Sequence, residues 1–303
     1  MGRSATGHHK CWPLQTLSKL CVGTGVLDGP FSTLNSQFEN TMSISIQKFG
    51  SLELLTAESI AAPHGFTTRL GGVSKDYLES LNLGAHRGDD PQNVAKNYEI
   101  LGNALGFSPK NLVLTNQVHG NLVRVVSRSD GKNSISNRDY PECDGLVTND
   151  PGTALMVFSA DCTPILFYDP ITGAVGAAHA GWRGTAAKIA AKVVETMETA
   201  FGCDPKNICA AIGPNIGSCC FETDADVPNA MLNAFGDDAK PFITPKNHKF
   251  FVDLKSINAL CLRKAGVENI EISTHCTACR PDLFWSHRVT RGHRGSQGAI
   301  IIR

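Results

Sequence analysis

The sequence of 303 residues lacks three features that would each point to a class of function. It has no apolar run long enough to cross a bilayer, and it does not begin with the charged and apolar segments of a secretory signal. It also has no net charge, because 28 Lys and Arg balance 28 Asp and Glu. We therefore expect a globular protein that binds neither nucleic acid nor a membrane.

A disulfide framework is not indicated either, although the chain has eleven cysteines. The number is odd, and Cys162, Cys209 and Cys261 lie in apolar strand or helix patterns. Such cysteines are typical of reduced, buried thiols inside the cell. The sequence therefore predicts a cytoplasmic protein.

The chain divides into two segments of different character. Residues 1–41 are rich in Gly, Ser, Thr and Asn and show no sustained hydrophobic period, so we expect a disordered leader. Over residues 42–303, predicted strands and helices alternate, which is typical of a single mixed α/β domain. Strands are predicted at 44–46, 52–55, 112–114, 123–126, 153–158, 164–168, 174–178, 208–212, 270–272 and 299–302.

Helices are predicted from their end signals. The clearest covers 91–105, with Asp89 or Asp90 as N-cap, Pro91 at the first position and Gly106 as the stop. Further helices are predicted at 186–201, at 226–235 and from the cap Asp253 to Ala265.

Cys162 and His179 flank a predicted hairpin. Two apolar strands enclose a turn at 170–173, so residues equally distant from the turn should lie opposite each other. Both side chains should therefore lie near the open end. His119, in an Asn-Gln-Val-His-Gly segment, offers a second imidazole. One Cys and two His leave a fourth position open on zinc, which is typical of a catalytic metal site.

Other interpretations of these residues stay open. Cys162 could be the nucleophile and His179 the base of a metal-free hydrolase. Copper could replace zinc, as in an oxidase of phenols, although the chain lacks the many His expected for three coppers. A zinc-stabilised binding protein would need a fourth ligand, which the sequence does not offer. A lone Cys or His near a strand end is also commonly just buried.

Five motifs in order resemble the YfiH-type family, which was formerly labelled polyphenol oxidase or laccase-domain and is now regarded as a purine nucleoside phosphorylase family. They are Asn-Gln-Val-His-Gly at 116–120, Cys-Asp-Gly-Leu-Val-Thr at 143–148, Ala-Asp-Cys-Thr-Pro-Ile at 160–165, His-Ala-Gly-Trp-Arg-Gly-Thr at 179–185 and Ile-Gly-Pro-Asn-Ile-Gly at 212–217. The resemblance covers about residues 42–303.

The resemblance implies a four-layer α/β/β/α sandwich with mixed sheets. It also implies that His119, Cys162 and His179 bind zinc and act in catalysis. The implied reaction is phosphorolysis of adenosine, inosine or guanosine, with adenosine deaminase and S-methyl-5'-thioadenosine phosphorylase activities in addition. Purine nucleosides and inorganic phosphate are then the partners, and we expect a monomer. One departure is His287, which stands where the family motif has Tyr.

Three residues are candidates for binding phosphate or substrate. Arg69 lies in a Gly-rich loop that also resembles a family segment, and Asn82 lies in Leu-Asn-Leu-Gly. Arg183 lies at a predicted helix start, where free N–H groups favour an anion. Solvated arginines and an Asn turn are the alternatives.

The remaining polar motifs are interpreted as structural. Asp161 precedes Cys162 in the chain and should point to the opposite side, so we expect it to support the site rather than bind metal. Cys276 and Cys279 form a CxxC, which alone indicates neither a zinc site nor a redox motif. The adjacent Cys219 and Cys220 are also expected to be structural, so no second metal site is predicted.

Overall fold

The computed structural model describes residues 44–131 and 140–303. The prediction for residues 1–41 lies outside the described residues. Fifteen strands, β1 to β15 in chain order, are formed by Ser45–Phe49, Leu52–Thr56, His64–Thr67, Leu112–Leu114, Val123–Val125, Gly145–Thr148, Ala154–Ser159, Thr163–Tyr168, Val175–Ala180, Cys209–Ile212, Glu222–Thr223, Ile243–Lys246, Lys249–Val252, Asn269–Ile272 and Gln297–Ile302. The described ranges also contain six α-helices, α1 to α6, formed by Pro91–Leu105, Trp182–Ala186, Ile189–Phe201, Asp226–Phe235, Leu254–Lys264 and His287–Thr290.

Most strands belong to two six-stranded mixed sheets. The first has the order β1-β2-β3-β15-β7-β4, and the second has the order β14-β10-β8-β9-β6-β5. Each is mainly antiparallel, with a parallel pair at an edge: β4 with β7 in the first, and β5 with β6 and β10 with β14 in the second. A small antiparallel sheet, β11-β13-β12, lies apart from them.

The side chains of β8 show how the layers are built. Leu166 faces a core that also holds β7, β15 and α1, whereas Ile165 and Phe167 face a second core with α3, α4 and α5. Successive residues of a strand point to opposite faces, so the second sheet is covered by a sheet on one side and by helices on the other. The four-layer α/β/β/α arrangement is thereby confirmed.

Local signals set several boundaries as predicted. Helix α1 begins at Pro91 with the Asp90 carboxylate accepting from the N–H of Gln92, and it ends at Gly106 in the left-handed conformation. The hairpin of β8 and β9 is confirmed, with Pro164 opposite His179. None of the described helices has the length and apolar character that crossing a membrane demands.

The helix predicted at 186–201 is wrong at its start. A short helix, α2, covers Trp182–Ala186, Lys188 takes a left-handed φ of 60°, and α3 begins only at Ile189. The hydrophobic period of α3 does not show this break, because Lys188 is compatible with a continuous helix by its propensity.

Candidate active site

Three side chains from separate elements meet at the open end of the β8–β9 hairpin. Cys162 lies just before β8, His179 lies in β9, and His119 lies in the loop after β4. Their potential ligand atoms all lie within 4.8 Å of one another. Cys162 Sγ is 3.9 Å from His119 Nε2, and the two imidazole rings meet edge to face. The structure thus brings together the three residues that the sequence predicts as ligands.

A buried carboxylate organises both histidines. Asp144, just before β6, accepts a hydrogen bond from His179 Nδ1 at 2.8 Å and from the backbone N–H of His119 at 3.1 Å. Its other oxygen accepts from the N–H groups of Val118 and Gly120 at 3.1 and 2.8 Å. Burial alone would raise the pKa of Asp144, but the hydrogen bonds from His179 and Gly120 outweigh it and lower the pKa.

This arrangement determines which nitrogen of His179 is available. Because Nδ1 donates to Asp144, Nε2 is the nitrogen left for a metal, which would bind it in place of a proton. A carboxylate behind a ligating histidine is common in metal sites, where it fixes the ring and raises its basicity. Sequence analysis did not single out Asp144, although it lies in the Cys-Asp-Gly motif.

The backbone around the site takes unusual conformations. His119 and Asp161 have φ values of 62° and 88°, a region that costs about 1–3 kcal/mol for residues other than glycine. Gly181 is needed for space, since a Cβ there would lie 2.9 Å from His119 Cδ2 and 3.3 Å from Cys162 Sγ. The local chain is therefore arranged around the meeting point of these side chains.

Asp161 supports the site from the other side, as its contacts confirm. Its carboxylate accepts from Thr277 Oγ1 at 2.6 Å, from Ser286 Oγ at 3.1 Å and from the backbone N–H of Arg288 at 2.7 Å. The turn that presents Cys162 is thus anchored to the C-terminal part of the chain.

The electrostatics favour an ionised thiol. Burial opposes ionisation of Cys162, but the charge of His179 and hydrogen bonds from both histidines outweigh it and lower the thiol pKa to about 6. Burial likewise opposes the charge on His179, but Cys162 and Asp144 raise its pKa to about 9. One thiolate and two imidazoles are suitable donors for zinc, so these residues fit such an ion.

The three side chains border a cavity of about 150 Å³ that is also lined by two arginines. Arg87, Arg294 and Ser296 belong to its lining. Burial first, and then the nearby charge of Arg87, lower the pKa of Arg294 to about 10. Its Nη1 donates to Gly295 O at 2.8 Å, whereas its buried Nε has no hydrogen-bond partner among the described residues. A cavity with two such cations is suited to an anion.

The side chain of Arg69 makes its contacts away from the cavity. It is not among the described residues that line the cavity. Its guanidinium donates to the carbonyls of Glu79 and Pro281 at 2.7 to 3.2 Å, and it stacks on Trp285 at 3.8 Å. Arg69 therefore joins two loops, and the structure gives no support to the prediction that it binds phosphate.

Asn82 is fully buried and does not line the cavity either. Its Oδ1 accepts from the N–H groups of Gly84 and Ser296, and its Nδ2 donates to Asp89 at 2.8 Å. The Asn turn that sequence analysis gave as the alternative agrees with these bonds. Asn82 acts on the cavity only through Ser296, which it holds in place.

Arg183 is exposed and stacks on its neighbour Trp182 at 4.2 Å. It lies outside the cavity lining, and α2 has only five residues, so its start is too weak a dipole to hold an anion. Sequence analysis missed Arg87 and Arg294, which do line the cavity. Neither residue lies in a motif that marks it, because their approach depends on contacts distant in sequence.

Known proteins are similar to this chain over most of its length. The family model described as multi-copper polyphenol oxidoreductase laccase matches residues 63–303. A relative named purine nucleoside phosphorylase YlmD, from Geobacillus stearothermophilus, is 40% identical over 244 residues, which are 79% of this chain and 89% of that protein. A relative named purine nucleoside phosphorylase, from Deinococcus radiodurans, is 39% identical over 82% of this chain and 92% of its own.

Solved structures share the fold. The crystal structure of Bacillus licheniformis YfiH superposes with a TM-score of 0.79 at 36% identity, covering 85% of this chain and 98% of that one. The structure of YlmD from Geobacillus stearothermophilus gives a TM-score of 0.77 at 37% identity, covering 87% and 99%.

Proposed function

The chain belongs to the YfiH/YlmD family, and from this premise we propose that it is a zinc-dependent purine nucleoside phosphorylase. The substrates are adenosine, inosine or guanosine together with inorganic phosphate. The observation that carries the proposal is the cavity in which His119, Cys162 and His179 meet beside Arg87 and Arg294. The names of the relatives support the same class of reaction.

The reaction exchanges one bond at the ribose. A phosphate oxygen forms a bond to the anomeric carbon, the bond from that carbon to the purine nitrogen breaks, and the purine leaves with the electron pair and takes up a proton. Positive charge develops on the sugar in the transition state, so an anion held beside the anomeric carbon stabilises it. Holding the two reactants together supplies a further part of the acceleration.

Arg87 and Arg294 bind the phosphate in this scheme. Burial first, and then the like charge of Arg87, lower the pKa of Arg294, and a bound anion would offset both effects. The unpartnered Nε of Arg294 provides a donor for it. The two arginines thus take the role that sequence analysis gave to Arg69, Asn82 and Arg183.

His119, Cys162 and His179 hold the zinc, with Asp144 fixing the orientation of His179. Bound there, zinc would supply a Lewis acid that polarises a substrate oxygen or nitrogen. Copper is the alternative metal, and a single ion with one thiolate and two imidazoles would not reproduce a multi-copper centre.

The test is the release of free base from each nucleoside with and without phosphate. Cys162→Ala and Arg294→Met should both lose activity, whereas Arg183→Met is a matched control outside the cavity and should keep it. In the same chromatograms, inosine formed from adenosine would reveal the deaminase activity, and adenine formed from S-methyl-5'-thioadenosine would reveal the third activity. An Arg294→Met variant as active as Arg183→Met would remove Arg294 from the phosphate site.

A metal-free hydrolase is the second candidate, and one observation favours it. In such an enzyme Cys162, whose pKa is about 6, would be the nucleophile. His179 would be the base, and the carboxylate of Asp144 would orient it. A chelator separates the two functions, because it would leave such a hydrolase active and would abolish the zinc-dependent phosphorylase.

A further inference from the structure

A second cluster of sulfur atoms lies outside the cavity. Cys219 and Cys220 follow β10, and Cys276 and Cys279 follow β14. The four Sγ atoms all lie within 4.8 Å of one another, with Cys279 Sγ 3.5 Å from that of Cys219 and 3.4 Å from that of Cys220. The fold thus joins the CxxC to the adjacent pair, although 55 residues of chain lie between them.

These distances suit one shared ion. Zinc bonded to four thiolates at about 2.3 Å in a tetrahedron places the sulfur atoms about 3.8 Å apart. The two separations from Cys279 Sγ, 3.5 and 3.4 Å, are close to that value, and every pair in the cluster lies within 4.8 Å. None of the nine cysteines in the described ranges forms a disulfide.

One backbone N–H group donates to a sulfur atom of the cluster. The backbone N–H of Gly217 donates to Cys276 Sγ at 3.2 Å. A Cβ on Gly217 would lie 3.3 Å from Cys219 Sγ, so the chain approaches closely there. The buried Lys255 ammonium donates to the carbonyls of Ser273 and His275 at 2.6 and 3.0 Å.

The positive charge of Lys255 would also offset the negative charge of a metal-bound cysteine cluster. Burial lowers the pKa of its ammonium, while the charges of Asp253, Cys276 and Cys219 act in the opposite direction. Four thiolates around a divalent ion carry two net negative charges, so a buried cation beside them is favourable.

We propose that Cys219, Cys220, Cys276 and Cys279 bind a second metal ion, a structural zinc. All four positions of the tetrahedron are then filled by protein, which leaves no place for a substrate. The ion joins the segment after β10 to the segment after β14, which an isolated bridge between Asn215 and Cys276 also connects.

The same two segments reach the active site. The N–H of Thr277 donates to Asn215 O at 2.9 Å, and its hydroxyl donates to Asp161. The N–H of Ile216 donates to Asp161 O at 2.9 Å. Asp161 precedes Cys162, so the second ion stabilises the turn that presents the cavity thiolate.

Metal content of the full chain tests the proposal. The protein purified under reducing conditions should hold two zinc ions per chain. The double variant Cys276→Ser/Cys279→Ser should hold one, and so should Cys162→Ala, because each removes a different site. Cys203→Ser, at a buried cysteine outside both clusters, is the control and should hold two.

The metal content of the Cys162→Ala variant distinguishes the cysteine cluster from the metal site of the cavity. One ion remaining in that variant supports the cysteine cluster whether or not the phosphorylase proposal holds. A double variant that keeps every ion of the parent protein would overturn the assignment, as would iron in place of zinc at these cysteines.

A measurement on the unaltered protein guards against a variant that fails to fold. Alkylation followed by peptide mapping should show the four cysteines protected together until a strong chelator removes the metal, and reactive together afterwards. Rapid alkylation of the exposed Cys219 before chelation, or a disulfide among the four in reduced protein, would contradict the proposal.

Discussion

Asp144→Asn is the most informative single substitution, because the carboxylate accepts four hydrogen bonds, two on each oxygen. An amide presents one oxygen and one NH₂ group, so either orientation leaves two N–H groups facing a donor. With NH₂ toward Val118 and Gly120, the bond to His179 survives. With NH₂ toward His179, the imidazole loses the partner that fixes its tautomer.

The expected magnitude follows from these contacts. Each buried N–H left unpaired costs about 1–3 kcal/mol, so the variant should lose about 2–6 kcal/mol of its free energy of unfolding. Loss of a carboxylate behind a ligating histidine typically weakens metal binding by about 10–100-fold. We therefore expect zinc affinity to fall by that factor, together with activity.

The assay is competition for zinc against a chromophoric chelator, with urea unfolding of the same samples. Asp169→Asn is the matched control, since Asp169 is also fully buried and accepts from the N–H of Ile171 and Thr172 in the hairpin turn. Both N–H groups donate to the same oxygen of Asp169, so an amide can keep these bonds, and the variant should retain zinc affinity at the trio. Equal zinc affinity in Asp144→Asn and the parent protein would refute the role given to this carboxylate.

Three further predictions concern the cavity. Gly181→Ala should keep the fold but weaken zinc binding measured by the same competition, because the added Cβ would lie 2.9 Å from His119 Cδ2. Arg294→Met should raise the KM for phosphate at least tenfold in initial-rate assays, while Arg183→Met leaves it unchanged. In metal-free protein, the alkylation rate of Cys162 should rise with pH through about 6, since only the thiolate reacts and its pKa lies there; half-maximal reaction near pH 9 would contradict the ion pair with His179.

The features that sequence analysis predicted well are local. The cap, first residue and stop of α1 all lie within a few residues of its ends, and the β8–β9 hairpin follows from two apolar runs around a turn. Because the hairpin sets the register, it also places Cys162 near His179. His119 was a candidate from its Asn-Gln-Val-His-Gly segment, and the motif resemblance implied the same residue, but periodicity could not place it beside Cys162, which lies 43 residues later.

The features that it missed depend on contacts distant in sequence. Asp144 reaches back 24 to 26 residues to the loop of His119, and Arg294 enters the cavity from the C-terminal segment. Arg69 looked available for an anion because its partners, Glu79 and Pro281, are invisible to a local pattern. The cysteine cluster was not predicted for the same reason, because the adjacent pair at 219–220 and the CxxC at 276–279 are each a weak signal alone.

The central claim is that one cavity joins a metal site to a phosphate site for phosphorolysis. Phosphorus NMR of zinc-loaded protein with inosine and phosphate tests it most directly. The account predicts ribose 1-phosphate in amounts equal to the hypoxanthine released, and no release when phosphate is omitted. Hypoxanthine released at the same rate without phosphate, or free ribose in place of the phosphorylated sugar, would contradict it.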